Sequence, residues 1–129
     1  MSVRIVRLGS PREKGEGLRL GTVRKPPRGV KKSDYAKLDY YDVWFPNLAP
    51  SLELFRWVMA EPLTPARWKT FARRYRSEMG VPNARHDIAA LAALSHHADF
   101  AVGCYCEDER RCHRSVLREL LAGAGAKLA

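Results

Sequence analysis

The sequence has no long apolar run, no secretory signal and few cysteines. Its apolar runs all fall short of the roughly 20 residues that a membrane-spanning helix needs. The N-terminal stretch MSVRIVRLGS lacks the apolar block of a secretory signal. The three cysteines are an odd number and lack the spacing of a disulfide framework. These absences predict a cytoplasmic protein with free thiols and no association with membranes.

Internal repeats, low-complexity segments and domain boundaries are also missing from the sequence. The chain has 129 residues, of which 46% are hydrophobic, and this suffices for a core without stabilising cross-links. We therefore predict a single domain over residues 1–129.

Acidic residues are scarce in the first third of the chain. Residues 1–37 contain 11 Lys/Arg against 3 Asp/Glu, while residues 38–129 contain 12 against 11. Nearly all of the net charge of +9 therefore lies in the first third. This asymmetry predicts an anionic partner, either a phosphate-containing small molecule or a nucleic acid. The alternative is a solvated basic surface without a specific partner.

The hydrophobic pattern and the turn residues predict four strands and four helices. The strands are expected at residues 3–8, 18–23, 40–45 and 99–106. The helices are expected at residues 52–60, 65–79, 84–98 and 111–125, with N-caps at Ser51, Thr64, Asn83 and Asp108. This order predicts an α/β fold, as a single three-layer domain with a mostly parallel sheet covered by helices. Ligands of such sheets bind beyond the carboxyl ends of the strands.

One segment, CYCEDERRCHR, holds every cysteine of the chain and joins the last predicted strand to the last predicted helix. Cys104 and Cys106 are two residues apart on a strand and are expected to point to one side. Cys112 and His113 fall on the inward rows of the helix. Arg114 lies about 100° further round, where it can project beside the helix N-terminus. The segment thus gathers thiols, an imidazole and a guanidinium at one edge of the sheet.

Four interpretations of this segment remain open. The thiols can be small buried apolar groups, with His113 at the boundary of the core. Free N–H groups of the first helical turn can bind an anion together with His113 and Arg114. The three thiols and His113 have the residue types of a zinc site, although the C-x-C-x5-C-H spacing is unusual. The fourth interpretation is a catalytic thiolate, either Cys104 in a C-x5-R loop or Cys112 at the helix N-terminus.

The same segment resembles the C-terminal signature of domain-of-unknown-function family 488 (DUF488), which is a strand, C-x7-C-H-R and an apolar helix. The match places Cys104, Cys112, His113 and Arg114 on the signature. Cys106 stands where relatives commonly have an acidic residue, so a zinc site that included it would be peculiar to this protein. No metal ligand and no cofactor are therefore predicted.

Upstream motifs resemble the YeaO-like branch of that family. They lie in LRLGTVRKPPRGVKK, LAPSLELF and RWKTFARRYRSEM, and the matching residues are Arg24, Pro27, Arg28, Gly29, Lys32, Pro50, Ser51, Phe71 and Tyr75. Val23 replaces the usual Asp of the branch, and Pro26 replaces the usual Trp. The resemblance implies an α/β fold and supplies no reaction, because the family is uncharacterised.

From these residues we predict one anion-binding cleft at the carboxyl edge of the sheet. Arg24, Arg28 and Lys32 would reach it from the basic loop, and His113 and Arg114 would reach it from the last helix. The alternatives are a nucleic-acid binding module that uses the basic first third and a zinc-stabilised structural domain. No general acid and base stand out, so neither a reaction nor an oligomeric state is predicted.

Overall fold

Four parallel strands in the order β1-β4-β2-β3 form the sheet, in a computed structural model that describes all residues from 1 to 129. The strands are β1 (Val3–Arg7), β2 (Leu18–Gly21), β3 (Val43–Trp44) and β4 (Phe100–Cys104). The helices are α1 (Leu52–Met59), α2 (Pro65–Met79), α3 (Pro82–Leu94) and α4 (His113–Gly123). The predicted α/β class and the mostly parallel sheet are confirmed.

The strand β4 lies inside the sheet. Phe100 is paired with Val3 of β1 on one side and with Leu18 of β2 on the other. All five residues of β4 are buried. A parallel strand that is covered on both faces needs apolar residues throughout, and the sequence FAVGC meets that need.

The helices pack against one face of the sheet. Val3, Phe100 and Val102 supply the strand side of the main core. The helical side includes Leu54, Phe71, Tyr75, Ile88, Leu117 and Leu121. Tyr75 is fully buried, and its hydroxyl donates to the carbonyl oxygen of Leu48 at 2.6 Å, so its polar atom has a partner. All four helices therefore contribute apolar side chains to the core against the sheet.

Loops form the third layer, on the other side of the sheet. A second buried cluster there includes Leu8, Val23 and Tyr41, and it continues round the carboxyl edge of the sheet to Cys104 at the end of β4. The ring of Tyr41 lies directly on Gly21, where an added Cβ would stand 2.4 Å from the ring. Gly21 thus lets the loop layer approach the strand backbone.

A buried ion pair holds the loop layer together. Arg19 and Glu16 are each 1% exposed, with 2.6 Å between Nε and Oε2. The guanidinium also donates to the carbonyl oxygens of Ser10 and Asp39, at 2.8 and 2.6 Å, and to that of Pro11 at 3.2 Å. A second bond to Glu16, from Nη2 to Oε1 at 3.1 Å, means that all five N–H groups of Arg19 have partners. The pair therefore joins the β1–β2 loop to the segment that leads into β3.

The stability that Glu16 contributes is expected to disappear in acid. Burial acts to raise the pKa of its carboxyl, but the hydrogen bonds and charge of Arg19 prevail and lower the pKa below the ordinary value of 4.5. The contribution is thus present above about pH 4.5 and is lost as the pH falls through the lowered pKa. We expect Glu16→Gln to be less stable than the wild type at pH 7, with a gap in urea midpoint that closes towards pH 3. A gap that stays constant with pH would contradict this assignment.

Two predicted helix caps are confirmed. The Ser51 hydroxyl oxygen accepts from the N–H of Leu54 at 3.1 Å, and that of Thr64 accepts from the N–H of Arg67 at 3.2 Å. The Ser51 hydroxyl also donates to the carboxylate of Glu78 on α2. These caps begin α1 and α2, and the Ser51–Glu78 bond ties the two helices together.

Two other predicted caps are wrong. Asn83 lies inside α3, which begins one residue earlier at Pro82 because the fixed φ of proline suits the first helical position. Asp108 caps a 3-10 turn (Glu109–Arg111) through the N–H of Arg110, and the N-cap of α4 is Cys112. The inserted turn moves the start of the last helix from the predicted residue 111 to residue 113.

The third strand is shorter than predicted. It has two residues in place of six, because only Val43 and Trp44 are paired with β2. None of the helices combines the length and the hydropathy that crossing a membrane requires.

Candidate functional site

A cleft of about 1150 Å³ lies at the carboxyl edge of the sheet. Its wall includes the ends of three strands and the residues that follow them, among them Arg7 at the end of β1, Val23 after β2 and Cys104 at the end of β4. The start of α4 reaches it through Cys112 and His113. The cleft therefore lies where ligands of parallel sheets bind.

Positive charge dominates the wall of the cleft. Five cationic side chains line it against one acidic side chain, Glu61; the cations are Arg7, Arg24, Lys25, Arg28 and Arg111. Only Arg7 of these five has a carboxylate within 4.0 Å, namely Glu107 at 3.6 Å. The other four have no carboxylate partner, although Arg111 donates from Nη1 to the carbonyl oxygen of Leu63 at 3.1 Å.

Arg24 also has a structural role. Its Nε donates to the carbonyl oxygen of Pro50 at 2.9 Å, and its Nη2 donates to that of Pro46 at 3.1 Å. These bonds fix the loop after β2 to the segment before α1. Arg28 and Lys25 are exposed and make no such bond; the ammonium group of Lys25 lies 5.6 Å from the centroid of the Phe55 ring.

Three of the five predicted binding residues line the cleft, namely Arg24, Arg28 and His113. Lys32 lies exposed in a 3-10 turn (Lys32–Asp34) outside the cleft wall. Arg114 is also outside that wall and is only 3% exposed. Its Nη2 donates to the carbonyl oxygen of Cys106 at 2.5 Å, while its buried Nε has no hydrogen-bond partner.

The three thiols meet at the base of the cleft. Their sulfur atoms all lie within 4.8 Å of one another, and those of Cys104 and Cys106 are 3.8 Å apart. All three cysteines are free. Hydrogen bonds from the thiols of Cys104 and Cys106 lower the pKa of Cys112 well below its ordinary value, against the effect of burial and with help from the N–H of Arg114. Hydrogen bonds with Cys106 and with Cys112, together with burial, raise the pKa of Cys104.

His113 stands beside this group as a neutral imidazole. Its Nε2 lies 2.6 Å from the carbonyl oxygen of Thr22, which can only accept, so Nε2 carries the proton. Nδ1 therefore presents its lone pair towards Cys112, whose Sγ is 3.8 Å away. Burial lowers the pKa of His113 to about 4, although the bond to Thr22 opposes that shift. At pH 7 the side chain is therefore neutral and adds no positive charge to the cleft.

Sequence reasoning missed several residues of the cleft. Arg7 and Arg111 were not among the predicted binding residues, and neither were the aromatic side chains of Tyr40, Phe55 and Tyr105. The rings of Tyr40 and Tyr105 contact each other edge to face, with centroids 6.0 Å apart. The position of Arg7 near the carboxyl end of a predicted strand was the available signal, because the carboxyl ends of parallel strands share one edge.

Comparison with known proteins agrees with the signature of the thiol segment. Residues 3–125 match a family model described as "Active DUF488-N3 subclade". Uncharacterized protein Rv3073c of Mycobacterium tuberculosis is 32% identical over 124 residues, which is 94% of each chain. Uncharacterized protein Mb3100c of Mycobacterium bovis matches equally well. No solved structure matches the chain.

Proposed function

The chain belongs to the DUF488 family, and from its cleft we propose that it binds a phosphate-bearing, nucleotide-like ligand at the carboxyl edge of the sheet. One observation carries the proposal: the cleft wall has five cationic side chains and one acidic one. A concave surface lined by one sign of charge concentrates the field and attracts ions of the opposite sign.

The chemistry of the cations favours phosphate. Arg28 and Arg111 offer planar guanidinium groups, which bind phosphate oxygens through paired N–H donors. Lys25 adds a mobile point charge from the same loop as Arg28. Because none of the three has a carboxylate partner, binding would not require an existing ion pair to break.

The aromatic side chains favour a ligand with a base or a similar flat group. Tyr40 and Phe55 line the same cleft as Lys25 and Arg28. Aromatic rings stack on nucleobases, and each stacked base contributes about 1–3 kcal/mol in nucleic-acid complexes. The volume of about 1150 Å³ slightly exceeds that of ordinary ligand pockets, so it accommodates a nucleotide.

The test compares two doubly substituted variants. Lys25→Ala/Arg28→Ala removes two exposed cations of the cleft, and Lys14→Ala/Lys37→Ala removes two exposed cations outside it. We expect pyrophosphate, ADP or ATP to raise the melting temperature of the wild type, because binding to the folded state alone stabilises it. The cleft variant should bind at least about tenfold more weakly, a loss of about 1.4 kcal/mol, while the control keeps wild-type affinity.

Two outcomes would contradict the proposal. One is that no phosphate or nucleotide in a broad panel shifts the melting temperature. The other is equal weakening in both variants, which would indicate general attraction to a basic surface. Binding to DNA or RNA with a steep dependence on salt, together with no binding of nucleotides, would instead support the nucleic-acid alternative.

We also propose a cellular location and a partner for the protein. Three free thiols favour a reducing compartment, so we propose a cytoplasmic location. The proposed partner is a small phosphate compound, and membership of the YeaO-like branch stays a prediction.

A further inference from the structure

The thiol group at the base of the cleft has a geometry that packing alone does not require. Cys104 ends β4, Cys106 lies in the following loop and Cys112 is the N-cap of α4. Their sulfurs lie within 4.8 Å of one another although the three residues belong to different parts of the β4–α4 connection. Cys106 is exposed overall, yet its sulfur faces the other two.

We propose that Cys104, Cys106 and Cys112 form a site for one Zn²⁺ ion, with the fourth coordination position open to the cleft. Zinc bonds to thiolate sulfur are about 2.3 Å long in tetrahedral sites, so two sulfurs on one ion lie about 3.8 Å apart. Cys104 and Cys106 have that separation, 3.8 Å. The site therefore needs little rearrangement to receive the ion.

The backbone around the site is held in place. The guanidinium of Arg114 donates to the carbonyl oxygen of Cys106, which fixes the loop on the side of α4. The carboxylate of Asp108 accepts from the N–H of Arg110 at 3.0 Å and closes the 3-10 turn between Cys106 and Cys112. In a metal site the ligand side chains are held in position before the ion binds, which distinguishes the site from thiols that lie close together by chance.

The residue types select the ion. Thiolate sulfur is a soft ligand that favours zinc over magnesium or calcium, which prefer oxygen. Three protein ligands with an open fourth position are the arrangement of catalytic rather than structural zinc sites. All three cysteines line the cleft, so water or a ligand from the cleft can complete the coordination. This inference stands independently of the phosphate proposal, because it uses none of the cations of the cleft.

Zinc binding to the full-length reduced chain tests the site. The protein is stripped with a chelator, titrated with Zn²⁺ against a coloured competitor, and titrated separately with Co²⁺. We expect one ion per chain and a sulfur-to-cobalt charge-transfer band. Cys106→Ala should weaken the affinity for Zn²⁺ by more than about a hundredfold, since loss of a supporting residue alone costs about 10–100-fold.

Matched variants keep the result interpretable. Cys106 is exposed, so its replacement leaves the core intact, and circular dichroism of the metal-free variant checks its fold. His86→Ala/His97→Ala removes two exposed imidazoles elsewhere and should bind Zn²⁺ as the wild type does. The Lys25→Ala/Arg28→Ala variant should also keep wild-type affinity for Zn²⁺, which separates this site from the phosphate proposal.

Three outcomes would contradict the proposed zinc site. The first is that the competitor removes all Zn²⁺ from the wild type. The second is that Cys106→Ala binds the ion as tightly as the wild type. The third is a cobalt spectrum without the sulfur band, which would place the ion elsewhere.

Discussion

Replacing Arg19 by methionine is expected to lower the free energy of unfolding by about 3–5 kcal/mol. The substitution leaves the carboxylate of Glu16 buried without its cation, and a buried charge without a partner is costly. It also removes the donors that the carbonyl oxygens of Ser10, Pro11 and Asp39 share. The loss would be a large part of the about 5–15 kcal/mol that stabilises an ordinary domain.

Urea unfolding of two single variants and one double variant checks this result. Arg4→Met is the matched control, because Arg4 is partly exposed and contacts Glu13 at 3.6 Å; its loss should cost at most about 1 kcal/mol. The double variant Arg19→Met/Glu16→Met should recover part of the stability, since no charge is left unpaired. Equal effects of Arg19→Met and Arg4→Met would show that the buried pair does not have this role.

Gly17→Ala is expected to cost about 3 kcal/mol, for two separable reasons. Gly17 has a φ of +83°, a conformation that costs a residue with a Cβ about 1–2 kcal/mol. An added Cβ would also stand 1.9 Å from the carbonyl oxygen of Asp99, so the backbone would have to move. Overpacking of this kind typically costs about 1–3 kcal/mol.

The same loop contains a control for the backbone effect alone. Gly15 has a φ of +79°, but nothing lies within 4 Å of the position of its Cβ. Gly15→Ala should therefore cost only the conformational strain, about 1–2 kcal/mol. Thermal or urea unfolding measures the stability of both variants. Equal losses of stability in the two variants would mean that the backbone near Asp99 moves without cost, and that its close approach to Gly17 does not contribute to the effect of Gly17→Ala.

The elements that local sequence determines were predictable. The strand β4 followed from its apolar run, and α1 and α2 followed from capping residues and helical periodicity. These signals are local, because a cap or a stripe acts within a few residues of itself. Asn83 failed as a cap because a neighbouring proline offered an equally local and better start.

The loop layer was not predictable from the same signals. Arg19 alternates with Leu18 and Leu20, which is the pattern of a strand with a solvated face, yet it is 1% exposed. Burial there results from loops that carry Glu16 and three carbonyl groups to the guanidinium. No short-range sequence pattern indicates that these loops cover the side chain of Arg19.

The sequence indicated where the cleft lies but only part of its lining, and ligand binding there stays a prediction. The cleft lies at the edge that the rule for parallel sheets indicates, and the basic loop supplies Arg24 and Arg28 to it. Arg7 joins them only because β4 places β1 near β2, and strand order is a property of the whole fold. Arg114 is buried because the 3-10 turn brings the carbonyl group of Cys106 to its guanidinium.

The position of β4 also affects how the chain reaches its fold. During synthesis β1 and β2 emerge with no strand between them, and the edges that face β4 stay unpaired until Phe100–Cys104 follows. Pairing across such sequence distances closes late, because a long loop must first be ordered. The excess of positive charge in residues 1–37 lies on and around these early strands. Mutual repulsion between nascent chains is therefore expected to protect the open edges from aggregation before the sheet closes.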